Sequence, residues 1–554
     1  MPDQHPDRPR RPWRGLRRPR VGTVAVAGAT ALSLMSAPAL AVPTATATSV
    51  GAGGHGPAGQ WAVGGQNLAN TRSNPFERTI SPANAARLAP VWTAQTHGDV
   101  SSTPAVVGGA VYLTDWGGFL TKLDARTGRT LWSHRISEYD GIPGSISRTS
   151  PTVVGDTVYV GNMNDTSTPV SGGRGAHLLA IDARTGALRW DTVVDSHFAA
   201  SITSSPIVFG GVVYQGVSSK EEAMATQPDY PCCTFRGGVV AVRASTGRVL
   251  WHSYTVPDNG GVPGGYSGAA VWSSTPSIDP ASGTLYINTG NNYTVPGTAK
   301  DCQLAGGAPS ACLSPDDHVD SILALDLHTG RIRWATGPVR FDDWNAACLA
   351  GQPPVHCPPS HGPDFGFGSG TQLFTVPDGH GGSRTLVGAG EKSGVYWALD
   401  ARTGRIVWSA APAPGGLQGG IQWGTATDGR RIYVAEADDD HTPYTLPDGR
   451  TIDFGSLAAL DPATGRIIWQ IPDPTGALDK AALTAANGVL YAGSMSGRMY
   501  AVDAATGAVL WSFTGQGSSI AGPAVVDGRV YWGNGYSRFG VGTPSTTFYA
   551  FGLS

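Results

Sequence analysis

Charge is scarce in this chain. Of its 554 residues only 14% are Asp, Glu, Lys or Arg, and the formal net charge is −3. Most of the Arg-dense sequence lies in the first 20 residues, and nothing beyond it is basic enough to draw nucleic acid or an anionic membrane. Helix-forming stretches are also rare. The apolar run at residues 21–35 is too short to favour a membrane anchor, so no stable membrane insertion is expected. Cysteine is limited to six residues with no Cys-x-x-Cys-His, which excludes a c-type haem attached to this chain. What the chain has in quantity is Gly (77) and Pro (41) beside abundant aromatic and branched residues, a mixture that suits many short strands and turns better than disorder.

Residues 1–41 read as a secretory signal peptide: seven Arg, then the apolar run, then Ala39-Leu40-Ala41 as an A-x-A cleavage site. Export to the periplasm or the medium is therefore expected, and Arg17-Arg18 leaves the twin-arginine route open. Residues 42–59 form an Ala/Thr/Gly-rich flexible lead-in. Removing the signal takes seven of 38 Lys and Arg and two of 41 Asp and Glu, so the mature chain carries a formal charge of −8. In an exported chain six Cys imply disulfides. Cys302/Cys312 and Cys348/Cys357 each close a short loop, leaving the neighbours Cys232 and Cys233 for each other; other connectivities remain open.

One phrase recurs seven times. It runs from Leu123 to Trp132, Ile181 to Trp190, Val242 to Trp251, Leu325 to Trp334, Leu399 to Trp408, Leu460 to Trp469 and Val502 to Trp511, each time with the Gly of a Thr-Gly pair four residues before the Trp. Such self-similarity marks a repeat architecture. Each copy reads as an apolar strand, a polar turn and a strand ending in Trp, and most follow a second hairpin pattern such as residues 150–160. The unit is thus a four-stranded antiparallel blade. Trp-to-Trp spacings of 58, 61, 83, 74, 61 and 42 allow one blade each, with loops of variable length. An eighth blade is split between the chain ends: Phe548-Tyr549-Ala550-Phe551 supplies late strand sequence, and residues 87–92, ending in Trp92, supply its partner. The expected fold is an all-β, eight-bladed propeller over residues 60–554, closed by pairing its two ends.

These Asp-x-x-Thr-Gly-x-x-x-Trp repeats resemble those of pyrroloquinoline quinone (PQQ) dehydrogenases. The runs at residues 114–118, 232–237 and 316–321 resemble more specifically the polyvinyl-alcohol dehydrogenase branch. The resemblance implies two-electron alcohol oxidation with PQQ and Ca²⁺, an alcohol or polymeric polyol as substrate, and cytochrome c or a quinone as external electron acceptor. Cofactor-free propellers share the repeat, so a binding or scaffold protein is the alternative.

Residue by residue, the resemblance makes Glu221, in Gly216-Val217-Ser218-Ser219-Lys220-Glu221, and Asn291, in Thr289-Gly290-Asn291, the Ca²⁺ ligands, with Glu222 competing for the first role. Carboxylate plus amide oxygen is a hard-cation donor set. Ser218, Thr203 and Arg148 contact the cofactor, Arg148 through the fork that binds a carboxylate with two bonds. Trp272 is the floor on which the quinone stacks, and Gln422 fills a slot where related enzymes often carry Asn. A family position that often carries Glu is Ser101 here. Cys232 and Cys233 could cover the opposite face of the ring. Lys392 matches the cation at the reactive quinone oxygens. For the base, Trp344 is followed by Asn345 where the family has Asp; Asp364, after an insertion holding Cys348 and Cys357, is favoured, with Asp343 as the alternative.

Overall fold

In the computed structural model, which describes residues 59–164, 175–273, 275–338, 340–538 and 540–554, eight mainly antiparallel sheets of four or more strands are present among the described residues. The signal peptide expected at residues 1–41 and nearly all of the expected lead-in lie outside the described residues. The second blade shows the pattern. Its strands Thr152–Val154, Thr157–Gly161, Ala176–Asp182 and Leu188–Asp195 pair in chain order, with Ala180 opposite both Tyr159 and Trp190. Leu178, Leu179, Ala180 and Ile181 in the third strand are fully buried, whereas the outer strand is exposed or half-buried except at Val194. First strands of neighbouring blades lie against one another around the axis.

The repeat phrase builds the joints between blades. In the turn after the third strand, Asp124 accepts hydrogen bonds from the Thr127 amide at 2.8 Å and from its hydroxyl at 2.7 Å. Gly128 follows with φ +73°, and a Cβ there would stand 2.5 Å from the Trp92 ring of the preceding blade. Glycine is required on both counts. Each Trp of the pattern then donates its indole N–H to the next blade: Trp92 to the Ala125 carbonyl, Trp132 to Ala183, Trp190 to Ala244, and onward to Trp469 and Ala504, at 2.9–3.3 Å. Trp511 completes the circuit by donating to Leu88 at 2.7 Å.

Leu88–Gln95 from the front of the chain pairs with Thr547–Leu553 from its end, Trp92 opposite Ala550, and Arg529–Trp532 and Ala524–Val526 complete that blade. The split blade expected from the sequence is therefore present, and it removes the open edge.

Because the strands are antiparallel, segments that precede a first strand and segments that follow a second strand share one end of the ring, opposite the Thr-Gly turns. Ser101, Arg148, Thr203 and Gln422 each stand four residues before a first strand. Glu221, Asn291 and Lys392 follow second strands ending at Ser219, Asn288 and Gly390. Topology alone thus gathers residues spread over some 300 positions.

Candidate active site

The floor of the site is set by two glycines. A Cβ on Gly290 would lie 2.7 Å from the Trp272 indole nitrogen, and one on Gly366 would lie 2.7 Å from the Gly290 Cα. Three segments thus cross at close approach, with the Trp272 indole against the Gly290 backbone. The Thr203 hydroxyl donates to the Trp272 carbonyl at 3.0 Å and lies 2.8 Å from Ser218 Oγ. Trp272 also meets Trp423 edge-on, centroids 5.8 Å apart. Trp272, Thr203 and Ser218 are therefore brought together.

Beside this floor lies a group of buried ionisable side chains. Asp364 is 6% exposed and has φ +59°, a left-handed conformation that Asp tolerates better than most side chains. Its amide and that of Phe365 donate to the two oxygens of Asp342, at 2.8 and 2.6 Å. Its own Oδ2 sits 2.7 Å from Lys392 Nζ. Burial raises its proton affinity, Lys392 opposes this, and Glu222 and Asp342 add to it; the result is a carboxyl held well above the usual range. Burial likewise raises Glu222, against the pull of Lys392 and of the Asn291 amide within hydrogen-bonding reach. Glu222, Asn291, Asp364 and Lys392 thus form one cluster.

Glu221 does not join it. Its Oε1 accepts from Tyr230 Oη at 2.6 Å and the Thr234 amide at 2.7 Å, and its Oε2 from the Phe235 amide at 2.7 Å and Ser267 Oγ at 3.1 Å. Both oxygens are committed to holding the loop that carries Cys232 and Cys233. The physical reason is local: Glu221–Met224 is a helical turn, and consecutive helical residues face different ways. The sequence signal that could have found Glu222 is that turn, following directly on the strand Val212–Ser219.

Asp343 is also drawn away, its Oδ2 paired with Lys300 Nζ at 2.5 Å. Asn345, at the expected position of the family Asp, instead caps a short 3₁₀ turn by accepting from the Ala347 amide at 3.1 Å. Asp342, which holds Asp364, was missed by sequence reasoning. Only its place two residues before Trp344 hints at the role.

The remaining positions line a cavity shared by Ser101, Arg148, Thr203, Trp423 and Tyr536. The Arg148 guanidinium lies 4.8 Å from the Trp423 ring centroid, and burial lowers its pKa. Among the described residues no ion pair joins it to a carboxylate, an arrangement compatible with an anion at its fork. Ser101 Oγ accepts from the Trp116 indole at 2.8 Å. Gln422 is buried in a main-chain bridge with Gly368. Three disulfides join Cys232 to Cys233, Cys302 to Cys312 and Cys348 to Cys357, the pairing expected from spacing. Cys232 and Trp272 pack, both partly exposed, on one apolar cluster that includes Cys233, Phe235 and Tyr293. No helix among the described residues is long and apolar enough to cross a membrane.

Comparison with known proteins places this geometry in context. A family model described as outer membrane protein assembly factor BamB matches residues 44–230 and 453–539. A polyvinylalcohol dehydrogenase of Sphingopyxis sp. (strain 113P3) is 30% identical over 522 residues, covering 87% of this chain and 73% of that protein. A polyvinylalcohol dehydrogenase of Pseudomonas sp. is 28% identical, covering 86% and 73%. Among solved structures, the quinohemoprotein alcohol dehydrogenase of Comamonas testosteroni shares the fold with a TM-score of 0.66 at 21% identity, covering 89% of this chain and 80% of that one.

Proposed function

The chain belongs to the family that holds the polyvinylalcohol dehydrogenases and quinohemoprotein alcohol dehydrogenases, and on that premise we propose that it is a secreted alcohol dehydrogenase using PQQ and Ca²⁺. The observation that carries the reading is the convergence of Glu222, Asn291 and Asp364 beside Lys392 and the Trp272 floor. The Glu222 carboxylate and an amide oxygen from Asn291 are the donor types that a hard divalent cation requires, and Asp364 stands beside them as the base. Glu222 takes the ligand role that the sequence pattern suggested for Glu221, whose oxygens are saturated.

PQQ, when bound with Ca²⁺, supplies a polarised ortho-quinone that accepts two electrons and hydrogen from the alcohol carbon. Every other part falls to the chain. Arg148 and Thr203 would pair with and hydrogen-bond the cofactor and Ser218 would contact it, Trp272 would offer a flat apolar face, and the Cys232–Cys233 disulfide would bound the site from the loop that Glu221 anchors. Gln422 closes the edge near Gly368. Asp364 takes the hydroxyl proton on its carboxylate: burial raises its proton affinity, which suits a base, and the ammonium of Lys392 at 2.7 Å opposes that rise. The substrate is a secondary alcohol or a polymeric polyol, and electrons leave to an external cytochrome c or quinone.

The test is to incubate the purified apoprotein with PQQ, Ca²⁺ or both, and to follow dye reduction with polyvinyl alcohol and with small alcohols. Activity only with both is expected. Failure of PQQ to remain with the protein after ultrafiltration in the presence of Ca²⁺ overturns the reading.

A further inference from the structure

Asp342, Asp343 and Trp344 form a short piece of chain that touches both halves of the proposed centre. Asp342 holds Asp364 through the two amide bonds described above. The Trp344 carbonyl accepts from Asn291 Nδ2 at 2.8 Å, and the Asn292 carbonyl accepts from it at 3.1 Å. The Asn291 amide nitrogen is thereby tied to main chain, in part to the 342–344 segment. Asn292 and the 342–344 segment are themselves laced together: the Asn292 amide donates to the Asp342 carbonyl at 2.8 Å and the Trp344 amide to the Asn292 carbonyl at 2.8 Å. Whatever fixes this segment fixes the ligand amide and the base together.

Its middle residue is fixed from outside. The Asp343 side chain is buried, and among the described residues its carboxylate has one partner, Lys300, at 2.5 Å. Lys300 lies on the helix Gly297–Leu304, two residues before Cys302, whose disulfide to Cys312 closes the helix into a short loop. The same ammonium donates to Gln303 Oε1 at 2.7 Å, and Gln303 Nε2 donates to the Ser360 carbonyl at 3.1 Å, just past the loop closed by Cys348 and Cys357. Two disulfide-closed insertions thus meet at a cation that grips the 342–344 segment.

We propose that Lys300 is a positioning residue for the metal centre, acting through Asp343 and the Trp344 carbonyl on the Asn291 amide and through Asp342 on Asp364. The inference rests on the cofactor reading above. A buried carboxylate stripped of its one cation is costly and moves toward water or takes a proton. Such a movement of Asp343 would shift both its neighbours. Groups that orient metal ligands without touching the metal typically change metal affinity by about 10- to 100-fold when removed.

The experiment titrates full-length apoprotein with Ca²⁺ at fixed PQQ, reading cofactor binding from the quenching of tryptophan fluorescence, and measures thermal unfolding without Ca²⁺. Lys300→Met is expected to raise half-saturating Ca²⁺ by about 10-fold, Lys300→Arg to restore most of it, and KM for the alcohol at saturating Ca²⁺ to stay near the parent value while kcat falls. Gln303→Leu removes the second anchor without baring a charge, and keeps the test open should Lys300→Met fail to fold; a shift of about 3-fold in the same direction is expected, a fraction of the Lys300 effect. Parent-like Ca²⁺ dependence in a folded Lys300→Met, or in Gln303→Leu where that protein does not fold, overturns the inference and leaves the cofactor reading standing. A shift in Lys300→Met that Lys300→Arg does not rescue also overturns it. A parent protein that binds PQQ without regard to Ca²⁺ sinks both.

Discussion

At the Thr-Gly turns, carboxylates such as Asp182 accept a fork of hydrogen bonds and a charge partner: the Thr185 amide at 2.8 Å, its hydroxyl at 2.8 Å, and Arg189 at 2.8 Å. Arg189 and those bonds hold the Asp182 pKa far below the usual carboxylate range. At the other end of the strands, Asp364, Glu222 and Glu436 are held above that range because burial removes water without supplying enough positive charge. The turns repeat because each solves the same joining problem, and their polar groups are satisfied locally. The loops do not repeat, and where Glu221 is saturated with hydrogen bonds, Asp364, Glu222 and Glu436 are left desolvated, which costs stability and favours uptake of a proton or a cation.

The largest effect on the loop side is expected at Asp364. Asp364→Asn keeps the shape but cannot take a proton, so turnover should fall by about 10²–10⁴-fold with PQQ and Ca²⁺ still bound. Steady-state rates beside fluorescence titration check this, and an active variant removes the residue from its role. On the turn side, Trp408→Ala should cost about 3–5 kcal/mol of stability, since it empties a joint where Trp408 is 8% exposed and bonded to the Pro462 carbonyl at 3.0 Å. Denaturant unfolding reads the loss. Ca²⁺ dependence should be unmoved, and a shifted Ca²⁺ dependence would dissolve the contrast between the two ends of the strands.

Between the neighbours Glu221 and Glu222 the contrast sharpens to one residue. Glu222→Gln should raise half-saturating Ca²⁺ for PQQ binding by about 10- to 100-fold, taking the range for ligand-shell changes as a floor. Glu221→Gln should instead lower the unfolding temperature, because it weakens the grip on residues 230–235, with a smaller shift in Ca²⁺. The reverse pattern would return the ligand role to Glu221.

That pair also marks where sequence reasoning stops. The propeller was legible because one chemical solution recurs: the Gly that must adopt positive φ, the Trp that must reach the next blade, and the split blade betrayed by Phe548-Tyr549-Ala550-Phe551 and Trp92. Trp272, Asn291, Lys392 and Asp364, the proposed site residues, came from the order of family-like motifs along the chain. The proposed ligand Glu222 stands one position from the Glu221 that the pattern suggested, because a helical turn rotates consecutive side chains apart and spacing does not record rotation. Asp342 meets Asp364 across 22 residues of chain and Lys300 meets Asp343 across 43, and no local pattern announces such contacts.

The smallest effects carry opposite signs at the two ends, which makes pH the last way to break the comparison. Asp182 faces Arg189, with Lys122 and Tyr112 beyond it, and its folded pKa is depressed. Its contribution is therefore present above the unfolded value of about 4 and is lost as pH falls below it. The stability gap between parent and Asp182→Asn should shrink as pH drops from about 5 toward 2. Glu436 is fully buried at a second-strand end, with Asp438 raising it further and Tyr444 within range. Its folded pKa lies above the unfolded one, so what the protonated group contributes is complete below about 4 and is lost as pH rises. Measured against Glu436→Gln, which stays neutral, the parent should lose ground as pH climbs from about 4 to 8. Unfolding midpoints across the two windows test both signs. Parallel slopes would mean that the buried carboxylates have found partners, and the desolvation that separates the loops from the turns would no longer explain why only the loops hold the chemistry.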